Sequence, residues 1–272
     1  MGELMDAGFI ERLREEASRR HARIGIGASG GGRQLLDGLE AASEYAEIVL
    51  VGDPGCDCDL EVMDADDPAT LLVDLLAKGE IDGAVRGNVS AHRAMRNLSR
   101  TFKVKVRRLA LLELSGWSFF LAPVGIDEGE TIQNRLDLVV LGARYIEKMG
   151  ILPKVAVLSG GRLEDLGRSE RVDRSLADSE LIAMLAEDAG VLACHKGILI
   201  ETCRGDDLIV APDGISGNLI FRTLMLLSGA RGYGAPVIMD QVFVDSSRAR
   251  EDFLGPIMLA SALSGMRERA GE

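Results

Sequence analysis

The stretch "DLIVAPDGISGNLIFRTLMLLSG" (residues 207–229) decides how the chain is read. It opens with an apolar run of strand length, turns through Pro212, Asp213 and Gly214, and continues as an apolar run of helix length. Ser216 is placed to cap that helix. Gly217 lets the backbone approach a ligand closely, and Asn218 can give and accept hydrogen bonds at the entrance. So many turn-forming and polar residues at one helix entrance read either as a generous strand-to-helix turn or as backbone that presents itself to a ligand.

The same strand–turn–helix unit recurs along the 272 residues. Strands are expected at 23–29, 47–53, 81–87, 107–114, 117–125, 154–160, 197–202, 207–213 and 236–246. Helices are expected between them, including 131–149 and 173–189, with a last helix from Ser247 or Ala249. This alternation predicts an α/β fold with mostly parallel sheets and helices on both faces. Ligands of such sheets sit beyond the carboxyl ends of the strands. The candidate sites are therefore the turns that follow strands.

Composition narrows the function. Hydrophobic residues make up 47% and charged residues 27%, enough for a packed core. A net charge of −12 argues against general nucleic-acid binding, which needs Lys and Arg to neutralise phosphates. A phosphorylated small molecule remains compatible, because local arginines decide that. No apolar run reaches the ~18 residues of a membrane helix, and the amphipathic N-terminal segment lacks a signal-peptide core, so a cytoplasmic protein without membrane partners is expected. With four cysteines and three histidines, none in metal-pair spacing, no metal site is expected. Cys194 and His195 are adjacent, an arrangement in which nucleophile and base rarely face each other.

Four turns carry candidate chemistry. "GASGGGR" (27–33) leads into a helix, and Gly30, Gly31 and Gly32 there form either a tight turn or an anion site at free N–H groups. It is neither a Walker A loop nor a good dinucleotide fingerprint. "LSGGR" (158–162), with Ser159, is a weaker version of the same idea. In "VRGNVSAHRAMR" (85–96), Arg86 ends a strand, and a helix from Ser90 puts Arg93 and Arg96 on neighbouring faces. Arg86 and Arg96 are read as phosphate-binding, Arg93 and Arg100 as solvated. In "DSSRARED" (245–252), Asp245 or Ser246 could simply cap the last helix.

Three of these turns and the 207–229 turn occur together, in chain order, in one family, whose acidic N-terminal turn is replaced here by "GASGGGR". The chain resembles the phosphate acetyl/butyryltransferases over roughly 80–265, through "EIDGAVRGNVSAHRAMR", "APVGIDEGETIQNRLDLVVLGARYIEKMGILPKVAVLSGG", "APDGISGNLIFRTL" and "VDSSRARED". Within that superfamily it is similar to the methyltransferase-related MtxX proteins of methanogens. The resemblance implies two α/β/α domains of isocitrate dehydrogenase-like type with an active-site cleft between them. The expected first domain is 1–110 with 245–272, the second 111–244. It also implies a homodimer, no tightly bound cofactor, and coenzyme A as co-substrate attacking an acyl phosphate. By the same resemblance Ser247 and Arg248 are the family's Ser-Arg pair, Asp252 its base, and Arg96 its phosphate-gripping arginine. Asp213, Ser216, Gly217 and Asn218 would line the cleft. The spacing from Arg248 to Asp252 is shorter than the family's, and Ser90 stands where the family has histidine. A methyltransferase of methanogenesis and a non-catalytic ligand-binding protein are the alternatives.

Overall fold

The computed structural model describes residues 8–246 and 252–271. In chain order the elements are α1 (Phe9–Arg20), β1 (Ala22–Ser29), α2 (Gly32–Glu40), β2 (Ala46–Asp53), β3 (Glu61–Met63), α3 (Pro68–Lys78), β4 (Gly83–Val85), α4 (Ala91–Phe102), β5 (Ala110–Leu114), β6 (Trp117–Ala122), α5 (Ile132–Glu147), β7 (Lys154–Leu158), α6 (Glu170–Asp188), β8 (Leu192–Gly197), β9 (Leu208–Val210), α7 (Gly214–Leu227), β10 (Arg231–Pro236), β11 (Val242–Asp245) and α8 (Leu254–Gly271). No helix among the described residues is long and apolar enough to cross a membrane.

The chain divides into two compact units. One comprises Ile10–Val106 and Tyr233–Glu272; the other is built on Arg107–Gly232. In the first, the strands run in the order β3-β2-β1-β4-β11-β10. All pair in parallel except β10, which is antiparallel to β11. Its core gathers Val49, Val51, Leu72, Val73, Leu98 and Phe243. Helix α8 packs on β1, β4 and β11. Ile257, Met258, Leu259, Ala260 and Ala262 are all fully buried, so this helix is apolar on every side. The Ser261 hydroxyl accepts the Ala22 N–H, satisfying a polar group that burial would otherwise strand.

In the second unit the order is β5-β6-β9-β7-β8, with β5 antiparallel to β6 and the remainder parallel. Leu112, Phe119, Leu121, Ala156 and Ile209 form one side of its core, covered in part by Ile220, Phe221 and Leu224 of α7. Helix starts follow local rules. The side chains of Asp67, Ser90, Thr131, Ser169 and Asp213 each accept an N–H in the first turn of the helix they cap.

Several sequence expectations differ from this structure. Asp213 caps α7, not Ser216, because the Asp213 carboxylate reaches the Ser216 N–H at 2.7 Å. The expected strand 236–246 is a hairpin of β10 and β11 bent at 238–241. Pairing of β11 with β4 draws the chain from Tyr233 onward into the first unit, earlier than residue 245. The expected strand 197–202 lies at Leu192–Gly197, and Ile200–Cys203 is a helical turn. Gly197, at φ 61°, ends that strand. Helix α8 starts at Leu254 rather than at 247 or 249. Helix α7 looks buried in sequence, yet Ile215, Leu219, Leu226 and Leu227 are more than half exposed.

Gly217 answers part of the question raised by the 207–229 turn. A Cβ there would overlap the Pro123 carbonyl oxygen. The close approach is thus to the chain's own backbone. Alanine would favour a helix by about 1 kcal/mol over glycine at an open site. Here Gly217→Ala is expected to lower stability by about 1–3 kcal/mol, the usual effect of overpacking. A thermal melt checks this, and a raised Tm would contradict the packing.

Candidate functional site

Each unit contains a point where neighbouring parallel strands send their helices to opposite faces, the crevice in which open α/β sheets bind ligands. In the first unit this point lies between β1 and β4. The 41–44 turn that follows α2 packs with α8, whereas α4 packs with α3. In the second it lies between β7 and β9. Gly142 of α5 packs on Leu208, whereas Ile209, facing the other way, joins the core that α7 covers.

The crevice of the first unit is built by the turns after β1, β4 and β11. Arg86 is 3% exposed; its Nε donates to Asp245 Oδ1 and its Nη1 to the Val89 carbonyl at 2.9 Å. Its Nε and Nη1 are committed inside the chain, so Arg86 acts as a strut joining the end of β4 to the end of β11. The Ser246 hydroxyl donates to the Gly87 carbonyl at 3.0 Å. Gly87 itself, at φ 65°, abuts the Gly27 carbonyl so closely that a Cβ would overlap it. Asn88 completes the joint: its Oδ1 accepts the Ser29 N–H at 2.7 Å and its Nδ2 donates to the Gly30 carbonyl at 2.9 Å. Sequence reasoning did not select Asn88, although its place between a strand-end glycine and a helix cap marks a turn residue.

The glycine-rich turn behaves differently from a loop of free N–H groups. Gly30 and Gly32 donate to the Asp53 and Pro54 carbonyls at 2.8 and 2.7 Å. Gly30, Gly31 and Gly32 all have positive φ, which explains the run of glycines. No side chain caps α2. The donors left for a ligand are those of the helix's first turn rather than those of Gly30 and Gly32.

Arg96 lies elsewhere on the same unit. With Arg93 and Arg100 it lines a cavity of about 320 Å³ between α4 and the start of α3, together with Asp67, Thr70 and Asn97. Arg93 is 3.5 Å from Asp67. The hydroxyl of Thr70 donates to Asp67 and accepts from Asn97, both at 2.8 Å. The Thr70 bond is the main cause holding the Asp67 carboxyl below its usual range. Arg93 and Arg100, read as solvated, thus share a concave surface with Arg96. Asp252 is exposed and its Oδ1 accepts the Leu254 N–H at 2.8 Å. Ser247 and Arg248 lie outside the described residues.

In the crevice of the second unit, Ser159 follows β7 and is 1% exposed. His195 Nε2 is 2.8 Å from Ser159 Oγ, and its Nδ1 is 2.8 Å from Glu180 Oε2. Ser159 Oγ also donates to the Gly161 carbonyl at 3.0 Å. The His195 imidazole is therefore joined to Ser159 and Glu180, whereas the Cys194 thiol donates to the His195 backbone carbonyl at 3.6 Å. Residues from β7, β8 and α6 meet here, a convergence that spacing alone does not reveal. Across the crevice, Asp213 caps α7, and Asn218 Nδ2 donates to the Val124 carbonyl at 2.8 Å.

The chain is 47% identical over 266 residues, 94% of its length and 95% of the relative's, to the protein of Methanosarcina acetivorans named "Putative methyltransferase mtx subunit X". It is 23% identical over 280 residues to a phosphate butyryltransferase of Clostridium beijerinckii, covering 85% of this chain and 89% of that one. Among solved structures, a phosphotransacetylase from Streptococcus pyogenes shares the fold with a TM-score of 0.71 at 18% identity, covering 96% of this chain and 98% of that chain. No protein-family model matches the chain.

The Arg86–Asp245 strut has a measurable signature. Arg86→Met leaves the Asp245 carboxylate buried without its guanidinium, and a loss of about 3–5 kcal/mol is expected. Arg86→Met with Asp245→Leu removes both charges and is expected to recover most of that loss. Equal destabilisation in the single and double variants, by urea titration, would refute the pairing as the source.

Proposed function

The chain belongs to the family of the mtx subunit X proteins, and on that premise we propose that it is a transferase of the phosphate-acyltransferase type, binding a phosphorylated small molecule. The observation that supports this most is the crevice between β1 and β4. It gathers an uncapped helix entrance and the Arg86–Asp245 strut, and in sequence the Ser247-Arg248 pair directly follows the anchored Ser246. An uncapped helix start favours a phosphate by its free N–H groups and its dipole. In the separate cavity between α4 and the start of α3, Arg96, flanked by Arg93 and Arg100, offers cationic donors of the kind that grip phosphate.

The reaction we infer is attack of a coenzyme A thiol on an acyl phosphate. A thiol of pKa about 8.5 and a carboxylate of about 3.9 differ such that proton transfer is uphill by roughly 6 kcal/mol. Asp252 is exposed and already accepts the Leu254 N–H. Arg248 then carries the larger role, stabilising the thiolate and the departing phosphate. Methyl transfer is the second reading, favoured by the name of the Methanosarcina relative.

The exposed apolar stripe of α7, Ile215, Leu219 and Leu226, supports a homodimer in which a second copy covers it. Leu219→Asp with Leu226→Glu is expected to give monomers by light scattering; an unchanged oligomeric state would remove this surface from the interface.

A coupled assay with acetyl, propionyl and butyryl phosphate plus coenzyme A tests the reaction. Phosphate release that depends on coenzyme A is expected, with Arg248→Ala reducing kcat about 10²–10³-fold. Methyl loss from methylated corrinoid or pterin donors, without acyl turnover, would establish the second reading instead. Coenzyme A binding with neither activity would make the protein a non-catalytic ligand binder.

A further inference from the structure

Arg135 breaks three local rules at once. It lies in the first turn of α5, where the helix dipole disfavours a cation. It is 4% exposed, yet among the described residues no carboxylate forms an ion pair with it. Its Nε is buried without a hydrogen-bond partner. A guanidinium has five N–H donors in a rigid fork. Nη2 supplies the bonds that are made, to the Leu158 carbonyl and to Ser179 Oγ, both at 2.9 Å. Nε and Nη1 donate to nothing among the described residues.

The nearest carboxylates do not fill this role. Asp178 and Asp213 favour the charged form of Arg135 only through space. Asp178 accepts from Arg174 at 3.0 Å, and Asp213 caps α7. The position is also informative. Leu158 ends β7 and Asp213 follows β9, so Arg135 sits at the point where these neighbouring strands send their helices apart. Violations of local rules that no packing gain explains cluster at functional sites.

We propose that Arg135 anchors an oxyanion site in the Arg107–Gly232 unit, so that the small molecule bound there carries a carboxylate or phosphate of its own. The place of this site in the reaction rests on the transferase reading: the group handled would be charged, unlike an acetyl or butyryl group. The binding itself does not rest on that reading. A carboxylate and a phosphate share the chemistry that a guanidinium recognises, acceptor oxygens that form charge-assisted hydrogen bonds.

The test is thermal denaturation and calorimetric titration of the full chain with succinate, inorganic phosphate, neutral succinamide, and sodium chloride at matched ionic strength. Succinate or phosphate, but not succinamide or chloride, is expected to raise the Tm. Arg135→Met is expected to abolish the Arg135-dependent part of that rise, and its ligand-free Tm is expected to equal or exceed the wild-type value. Arg96→Ala, on a different unit, should leave the succinate response intact. A response to succinate alone identifies a carboxylate ligand; one to phosphate that survives Arg96→Ala but not Arg135→Met identifies a phosphoryl ligand. The proposal is overturned if Arg135→Met lowers the ligand-free Tm and leaves the anion response unchanged, the behaviour of a structural strut. Should the Met variant not fold, Arg135→Lys decides: unchanged anion affinity refutes recognition by the fork, and a tenfold or greater loss with unchanged Tm supports it. Absence of coenzyme A turnover in the coupled assay, with succinyl phosphate added to its donors, would refute the transferase reading without touching this result.

Discussion

The buried pair of Arg86 and Asp245 ties together residues 159 positions apart in sequence. It joins the end of β4 to the end of β11, and with it the early part of the chain to the segment that returns to the same unit. Such a pair is a poor source of net stability, because desolvation offsets much of the Coulomb attraction. Its effect is positional. A guanidinium bound at once to a carboxylate and to the Val89 carbonyl fixes where the 86–90 turn sits. From that turn Asn88 reaches the turn after β1, and Gly87 receives the Ser246 hydroxyl. The crevice of this unit is one connected polar joint, in which each loop is held by the next.

That connectivity changes what glycine means in these turns. Gly30 and Gly32 spend their N–H groups on neighbouring carbonyls, and Gly87 and Gly217 exist because backbone passes too close for a Cβ. Close backbone approach is what glycine permits, and a sequence does not say whether the approaching group is a ligand or another turn. In both crevices much of that closeness is internal. What the turns leave over is the first turn of α2, the arginines of α4, and the polar side chains at the ends of β7 and β9.

The α/β architecture was legible because strand-length and helix-length apolar runs alternate with turn formers, and most strands expected from that pattern are present. What escaped has identifiable causes. Strand β3 has only three residues, and β10 carries Gly232 and Gly234, so neither has the composition of a strand. Strand β8 was displaced because Ile198, Leu199 and Ile200 look more strand-like than the polar Cys194–Lys196 that pairs with β7. The sites were legible only where they sit on turns. His195 and Glu180 meet Ser159 from other elements, and Arg135 lies inside a helix that sequence treats as regular. A cation in the first turn of α5 was the available signal, and it is a weak one without burial to accompany it.

Burial makes Arg135 physically distinct from the surface arginines. It pushes the guanidinium pKa down to about 10, a direction in which the folded state binds its proton less tightly than the unfolded chain. The sign follows directly. Between about 10 and the ordinary, higher guanidinium value the unfolded chain holds more protons, so stability attributable to this group rises with pH there. Below about 10 both states are charged, and the unfavourable burial is constant through the neutral range. Near neutrality the chain cannot relieve it by losing the proton, and its nearest carboxylates are engaged elsewhere. An oxyanion bound as proposed would satisfy the buried Nε donor, and the cost of holding Arg135 in place would then be one of pre-organisation, with that donor desolvated before the ligand arrives.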